Sequence, residues 1–474
     1  MSACMNTFLQ TVTRVSLVAA CLGLSACAVG PDYRRPDAPV SAHYKQLDGW
    51  KEATPGDDRI RGAWWQGYDD PDLSALLEQV RISNQNVASY QAAFDKAQAL
   101  VSAANANFFP TVTGTVSNSR SGGNSAATTT VSNSAKLGAS WEPDLWGKLR
   151  RTAEEDRASA QASEANLAAA TLSAQSSLAQ DYFQLRVMDE EIRVYQQTVD
   201  AYTRYLQIVQ KQYDLGNTSR GTLATAQNQL ETARASVLDV QWQRAQMEHA
   251  IAVLIGKPPA AFSIAVKPLR YTLPAIPVGL PSALLERRPD VAYAERTMAS
   301  ANAAIGVAKA AYFPDLTLSA SDGYSSSIWR NLFSLPSSAW STGASLSGTV
   351  LDFGATSASV RQAEAGYAGE VATYRQTVLT ALQEVEDYLV ELHTLTDEVA
   401  TTQRAVDAAK TSERQYSNQY QAGMISYLTV ASAQASRLSA EQSLLGLVSD
   451  QLVSSVKLIA ALGGGWDETA LSAE

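Results

Sequence analysis

The chain has 474 residues, of which 18% are charged, and its formal net charge is −10. This acidic balance argues against nucleic acid as a partner, because binding a polyanion calls for a basic surface. The three cysteines all lie within the first 27 residues, and the three histidines are far apart. The sequence has no zinc-ligand spacing, no Gly-x-Ser-x-Gly motif and no phosphate loop. We therefore predict no enzyme, no catalytic residue, no bound metal and no cofactor.

Residues 1–26 have the pattern of a secretory signal peptide. Arg14 precedes an apolar run over 15–24, and small residues follow. Residues 24–27 read LSAC and resemble a bacterial lipobox. This resemblance implies that Cys27 becomes the mature N-terminus and carries a covalent lipid, with fatty acyl chains such as palmitate. By the same resemblance, Ala28 rather than aspartate after the cysteine favours the outer membrane over retention on the inner one. The alternative is an ordinary signal peptide cut near residue 26.

Residues 27–71 are rich in proline, glycine, aspartate and aromatic residues, which indicates an extended arm lying on the body of the protein. Trp64, Trp65 and Tyr68 are expected to anchor this arm, and stacking on a ligand is the alternative. Residues 72–109 contain neither glycine nor proline and are predicted to form one helix that ends before Pro110.

Two β-hairpins are predicted, at about 111–141 and 315–351. In each, short runs rich in threonine, serine and valine or leucine flank a polar loop, at 118–134 and 322–338. Small polar and larger apolar residues alternate, which fits strands with one face in lipid and the other toward water. Outside the signal peptide, no apolar run reaches the roughly 18–20 residues of a spanning helix. Because four strands cannot close a barrel, these strands predict an oligomer.

The longest predicted element spans 148–215, where glycine and proline are absent. A continuous helix of this length would extend about 100 Å. Its distal half has a 3-4 apolar repeat from Leu185 to Tyr213, and the helix that follows has its own seam, interrupted at Arg244. These seams predict an antiparallel coiled coil. The second half repeats the pattern with polar interruptions at Thr402 and Glu413.

A turn between these helices occurs twice. Residues 213–227 read YDLGNTSRGTLATAQ and residues 420–434 read YQAGMISYLTVASAQ, 207 positions later. Each glycine suits a helix end and each following serine suits a helix start. We infer a tandem duplication with a first repeat at 72–255 and a second at 282–462. A proline-rich linker at 256–281 joins them. The C-terminal tail is 463–474, and its short acidic part after Gly463-Gly464-Gly465 is expected to be disordered.

Several motifs in the same order resemble one known family. They are GPDY at 30–33, WW at 64–65, EPDLWG at 142–147, RPD at 288–290 and the doubled Tyr-x-x-Gly-x-x-Ser turn. With the lipobox, they resemble the outer-membrane efflux factors of the TolC/OprM type. The resemblance is to the lipoprotein, NodT-type branch of RND-type efflux systems, and it covers nearly the whole mature chain.

This resemblance implies a mostly α fold with a small β part. Three copies would share a twelve-stranded transmembrane β-barrel that continues into a long coiled-coil helical barrel in the periplasm. The homotrimer would be the passive exit duct of a tripartite efflux system in the outer membrane. It would take small molecules, such as drugs or solvents, from an inner-membrane RND-type pump through a periplasmic adaptor protein. The alternatives are a type I protein-secretion duct and a non-conducting coiled-coil structural lipoprotein.

The resemblance also places the two turns at the periplasmic mouth of the tunnel. Relatives often carry aspartate where this chain has Ser432, and Thr429 is also neutral. An acidic constriction is therefore not expected here, and Tyr427 or Arg220 would supply a ring instead. Six residues are predicted to form the tip and contact the adaptor: Tyr213, Gly216, Ser219, Tyr420, Gly423 and Ser426. The alternative is that they serve only the geometry of the turns and caps. The gate candidates are Arg220, Tyr427, Thr429 and Ser432.

Overall fold

The computed structural model describes residues 28–38, 40–41, 44–45, 63–122, 130–274, 276 and 287–465. The predicted signal peptide, Cys27 and residues 466–474 of the tail lie outside this part of the chain. The helices and strands follow in the order α1 Pro71–Ser83, α2 Gln85–Ala106, β1 Thr111–Ser121, β2 Thr130–Trp141, α3 Lys148–Asp214, α4 Arg220–Leu254, α5 Pro289–Ala310, β3 Asp315–Ser326, β4 Ser338–Ser347, α6 Ala355–Gln421 and α7 Tyr427–Ala461.

The prediction of a single helix over 72–109 is wrong, because Asn84 interrupts it and separates α1 from α2. Asn84 has an extended backbone with ψ of 122°. Its side-chain oxygen accepts the N–H of Val87 at 3.0 Å and so caps α2. Its amide group donates to the carbonyl of Leu254 at 2.7 Å. A contact with a distant helix therefore fixes this break.

The four strands form one antiparallel sheet in the order β1-β2-β3-β4. The predicted hairpins are present, but β1 and β2 run well into the predicted polar loop. Cross-strand bonds extend them, with Ser117 and Ser134 hydroxyls 2.8 Å apart and the Asn118 amide donating to Asn133 at 2.5 Å. β3 likewise continues to Ser326, and the final strand ends at Ser347 rather than at 351.

The strand register places apolar residues on one face of the sheet. Gly114 lies opposite Leu137, which lies opposite Asp322, which lies opposite Trp340. Paired residues share a face because side chains alternate along each strand. The larger apolar side chains of this face are Val112, Val116, Val131, Leu137, Trp141, Leu316, Leu318, Tyr324, Trp340 and Leu346. The opposite face consists mainly of serine, threonine and glycine.

The long helices have the predicted form. α3 and α6 have 67 residues each, and α4 and α7 return antiparallel with 35 residues each. Twenty side chains of α3 are buried but only nine of α6, which agrees with the more polar second seam. In the second hairpin Glu413 pairs with Arg437 at 2.8 Å and Lys410 pairs with Glu441 at 3.0 Å. The Glu413–Arg437 ion pair thus stands where Leu206 and Leu230 pack together in the first hairpin.

Among the described residues, one helix, Tyr427–Ala461, is long and apolar enough to cross a membrane by length and composition. Within this helix, 61% of the apolar stretch is buried inside the protein, which is the pattern of a core helix. The main core lies where this helix and the other helices meet the arm. Trp64, Trp65 and Tyr68 are buried there, and the Tyr68 and Ser455 hydroxyls are 2.7 Å apart. These aromatic residues anchor the arm, as expected.

Positions in the two halves of the chain make equivalent contacts. Gly256 and Gly463, 207 positions apart, both have positive φ and both lie against a backbone carbonyl, of Ser83 and Arg287 respectively. Asn84 donates to the carbonyl of the last residue of α4. Arg288 donates to the corresponding carbonyl, that of Ala461 at the end of α7. Gly463, the first residue of the predicted tail, therefore packs in the same way as Gly256.

The first half of the chain has a buried cluster of charged residues that the second half replaces with a neutral pair. The Asp189 carboxylate is fully buried, and it accepts hydrogen bonds from Arg186 at 3.1 Å and from Arg244 at 2.5 Å. The same arginines donate at 2.8 Å to linker carbonyls, Arg186 to Ala265 and Arg244 to Ile264. Arg244, which interrupts the predicted seam, thus holds the linker in place.

The second half has a neutral pair at the equivalent positions. There the Gln451 amide donates to the Thr396 hydroxyl at 3.1 Å. Thr396 and Gln451 stand 207 positions after Asp189 and Arg244.

Candidate functional site

The two predicted turns share one backbone geometry. Gly216 and Gly423 have φ of 76° and 74°, which a residue with a Cβ rarely adopts. In the first turn Asn217 donates to the carbonyl of Gln212 at 2.8 Å, and in the second Met424 donates to that of Gln419 at 2.9 Å. These bonds close a Schellman motif at the end of each long helix. The glycines therefore have the predicted turn role.

The two serines after these glycines differ in their contacts. Ser219 accepts the N–H of Thr222 at 3.1 Å through its side chain, as a helix cap does. Ser426 occupies the same position before α7, but its side chain makes no capping bond. The cap prediction thus holds for Ser219 and is wrong for the side chain of Ser426.

Three tyrosines join the two tips to each other. Tyr205 of α3 lies with its ring centroid 5.7 Å from that of Tyr427 and 6.4 Å from that of Tyr420. The Tyr420 hydroxyl donates to the side chain of Gln212 at 3.1 Å, and the Tyr427 hydroxyl donates to that of Gln229 at 2.9 Å. Tyr205 also bonds to the hydroxyl of Ser417. Every tyrosine in this cluster therefore bonds to the opposite hairpin.

Burial raises the pKa of the Tyr420 and Tyr427 hydroxyls above the usual value for tyrosine. Both groups are thus neutral at physiological pH and can donate their hydrogen bonds. Tyr427 is only 4% exposed, so its side chain serves contacts within the chain. The other gate candidates lie outside this cluster. Arg220 and Ser432 are exposed and Thr429 is half-buried.

Sequence analysis missed the residues that receive these bonds. Gln212, Gln229 and Ser417 are polar and lie off the apolar seam, so the 3-4 repeat gives them no role. Tyr213, the counterpart of Tyr420 one repeat earlier, is 37% exposed. Two of the predicted tip residues thus differ in their contacts. Tyr420 bonds to the opposite hairpin, whereas Tyr213 lies at the surface.

Large apolar side chains are exposed at the same end of the molecule. Leu215, Met424 and Leu428 are 74%, 73% and 68% exposed, and all lie at or next to a turn. Exposed apolar side chains grouped in this way are typical of a surface that binds another protein.

The arm begins at the opposite end of the helices. Val29 donates its N–H to the carbonyl of Trp146 at 3.0 Å, and Arg151 donates to the carboxylate of Asp32 at 2.8 Å. A Cβ added to Gly147 would lie 2.8 Å from the Cα of Ala28. Ala28 is therefore held between the end of the sheet and the start of α3.

A model of the outer membrane efflux protein family matches residues 76–257 and 280–464. The chain belongs to this family. It is 30% identical over 455 residues to the cation efflux system protein CusC of Escherichia coli O6:H1, which covers 94% of this chain and 97% of the relative. It is also 30% identical over 473 residues to the probable efflux pump outer membrane protein TtgC of Pseudomonas putida, covering 97% of each.

The fold agrees with solved structures of such channels. The structure of the outer-membrane channel OprN superposes with a TM-score of 0.85 at 29% identity, covering 93% of this chain and 100% of that one. The resemblance to the outer-membrane efflux factors is thus confirmed. The chain is an outer-membrane efflux protein and not an enzyme, as predicted.

Proposed function

We propose that this efflux protein is a passive exit duct formed by three copies of the chain. The observation that supports this most directly is the sheet, which has one apolar face and whose outer strands β1 and β4 each have one edge unpaired among the described strands. Four strands cannot satisfy their edge groups in lipid, whereas twelve strands shared by three copies can close a barrel. The long helices would continue this barrel as a tunnel, and the similarity of the two halves supports an origin by tandem duplication.

The tips would form the periplasmic mouth of the tunnel. The exposed Leu215, Met424 and Leu428 are the surface that we propose for the adaptor protein, with Tyr213 beside them. An inner-membrane RND-type pump would deliver the cargo. Relatives are named for efflux of cations and of toluene, so we propose small molecules as the transported class.

Lipidation of Cys27 is a further part of the proposal. Cys27 is joined by one peptide bond to Ala28, and Ala28 lies where the sheet meets the helices. Acyl chains on Cys27 would therefore start beside the barrel and enter the same membrane. Relatives include a probable outer membrane lipoprotein, SilC of Salmonella typhimurium.

Two measurements on detergent-extracted particles test the duct. We expect images of a hollow threefold tube with a detergent belt at one end, and ion conductance when the particles are inserted into a planar bilayer. A solid rod or a monomer without conductance would overturn the proposal and favour a structural lipoprotein.

The tip cluster predicts a measurable change in the mouth. Widening the mouth by moving the second hairpin away from the first must break the bonds of Tyr420 and Tyr427. Replacing both with phenylalanine keeps the rings but removes both hydroxyls. We expect the double variant to conduct several-fold more than the natural chain in planar bilayers, since each lost bond is worth about 1 kcal/mol.

The matched control is Tyr213→Phe, at the equivalent exposed position of the first hairpin. It should leave conductance unchanged. Equal conductance in the natural chain and the Tyr420→Phe, Tyr427→Phe variant would contradict a role of these bonds in closing the mouth.

A further inference from the structure

We propose that Lys136 makes the interior of the β-barrel selective for anions, and that anionic small molecules are therefore the cargo that the duct passes most readily. This inference rests on the proposed trimeric duct, in which the apolar face of the sheet meets lipid and the opposite, polar face lines the channel. Three copies would place three Lys136 ammonium groups at one level inside the barrel. A ring of charged side chains is a known basis of ion selectivity in channels.

The polar face of the sheet consists almost entirely of small neutral residues. Every strand residue that the structure describes on this face is serine, threonine, glycine or alanine, apart from Lys136 on β2 and Asp315 on β3. The two other charged strand residues, Arg120 and Asp322, lie on the apolar face. Lys136 is thus the largest side chain on the polar face and its single cation.

Asp315 does not compensate the charge of Lys136. Its carboxylate pairs at 3.3 Å with Lys148, at the start of α3. It also lies eight residues before Gly323, the residue opposite Lys136, which corresponds to roughly 27 Å along an antiparallel strand. Lys136 itself has no hydrogen bond and no ion pair with any residue that the structure describes. Its charge therefore faces the proposed channel without a partner.

The hydroxyl groups next to Lys136, in contrast, bond to each other. Two positions along β2, the hydroxyls of Ser134 and Ser117 are 2.8 Å apart. Two positions along β3 from Gly323, the hydroxyls of Ser321 and Ser341 are 2.9 Å apart. The wall around the lysine is therefore neutral, and an ion that passes meets one kind of charge there. Lys136 is exposed, so its ammonium group can reach such an ion.

Gly323 provides the space that the Lys136 side chain occupies. The two residues lie opposite each other, and a Cβ added to Gly323 would lie 2.9 Å from the Lys136 Cγ and 2.7 Å from its Cα. Gly323 is buried although it belongs to a sheet whose polar face is open. The stem of Lys136 therefore lies against the backbone of Gly323, which limits where its ammonium group can be.

The dimensions of the barrel allow this charge to act across the channel. Twelve strands spaced about 4.8 Å apart and tilted by about 40° form a barrel about 24 Å across at the backbone. An ion on the axis then lies within about 10 Å of each ammonium group, a distance over which charges act in dilute salt. Because the other side chains of the polar face are small, none of them separates the ion from the lysines.

Reversal potentials in planar bilayers test this inference. A gradient of dilute potassium chloride across the bilayer gives the ratio of chloride to potassium permeability. Lys136→Gln removes three charges from the proposed trimer, and we expect this ratio to fall by about four-fold. Lys136→Glu should lower the ratio further, because three negative charges then replace three positive ones.

Two further variants separate the position of the charge from its sign. Lys257→Gln removes a lysine of the linker, whose ammonium group lies 5.7 Å from the centre of the Phe262 ring, and should leave the ratio unchanged. In the double variant Lys136→Gln, Thr115→Lys the ammonium group moves to the residue opposite Lys136 on β1. It stays on the polar face, so the ratio should return toward that of the natural chain.

Conducting channels with the same permeability ratio in the natural chain and in Lys136→Gln would overturn this inference and leave the proposed duct intact. An equal fall of the ratio in Lys257→Gln would also overturn it, because the net charge of the chain would then be the cause. Monomeric particles without conductance would overturn the duct and this inference together.

Discussion

Replacing Asp189 with alanine should lower the free energy of unfolding by about 3–5 kcal/mol, which is the usual cost of removing one partner from a buried ion pair. Without this carboxylate, the largely buried guanidinium groups of Arg186 and Arg244 would repel each other. Each would keep one other ion-pair partner, Asp72 for Arg186 and Glu248 for Arg244. The linker carbonyls that these arginines hold would lose their positions as well. We expect Tm to fall by on the order of 10 °C, measured by far-UV circular dichroism in detergent.

The second half of the chain provides the matched control. Thr396→Ala removes the equivalent group from a neutral pair and should cost only about 1 kcal/mol. The double variant Asp189→Thr, Arg244→Gln installs the pair of the second half in the first and should recover part of the loss. Similar losses for Asp189→Ala and Thr396→Ala would show that the buried charge is not what makes the first site sensitive.

Replacing Gly256 or Gly463 with alanine should prevent accumulation of folded protein. At Gly256 a Cβ would lie 2.1 Å from the carbonyl oxygen of Ser83, and at Gly463 it would lie 2.0 Å from that of Arg287. Because both neighbours are backbone atoms, neither can rotate away. Two helix ends would have to separate in each variant, in addition to the strain of positive φ. Immunoblots of outer-membrane fractions should show the loss.

Gly216→Ala and Gly423→Ala are the controls for these variants. Both glycines also have positive φ, but a Cβ at either position meets nothing within 4 Å. Their cost should be limited to backbone strain of about 1–2 kcal/mol, and the protein should reach the membrane in normal amount. Loss of folded protein in all four variants would mean that positive φ, rather than close packing, is decisive.

The features that sequence analysis predicted well are those with a local cause. A long stretch without glycine or proline predicts α3, alternation predicts the strands, and a glycine at the end of an apolar seam predicts each turn. The break at Asn84 was missed because asparagine is tolerated within helices, and the contact that favours the break comes from Leu254. The strands were predicted too short because serine and asparagine usually mark loops. Here those side chains bond to each other across the sheet.

The candidate site was predicted in part for the same reason. Gly216, Gly423 and Ser219 have the predicted turn and cap geometry, since a turn depends on its own residues. The contacts of Tyr427 depend on which face of α7 meets the first hairpin, and no repeat in the sequence specifies that face. Asp189 and Arg244 are likewise far apart along the chain, so their pairing emerges only from the packing of α3 against α4.

The ion pairs of the second hairpin should make the proposed mouth sensitive to salt. Small ions pass freely into the periplasm, and the screening length falls from about 10 Å at 0.1 M salt to about 3 Å at 1 M. The half-exposed Lys410–Glu441 pair should weaken as salt rises, while the apolar seam of the first hairpin should not. In the proposed duct, higher salt would therefore weaken the contacts within the second hairpin of each copy more than those within the first. The free energy needed to open the proposed mouth would then vary with the salt concentration of the medium, although the sequence is unchanged.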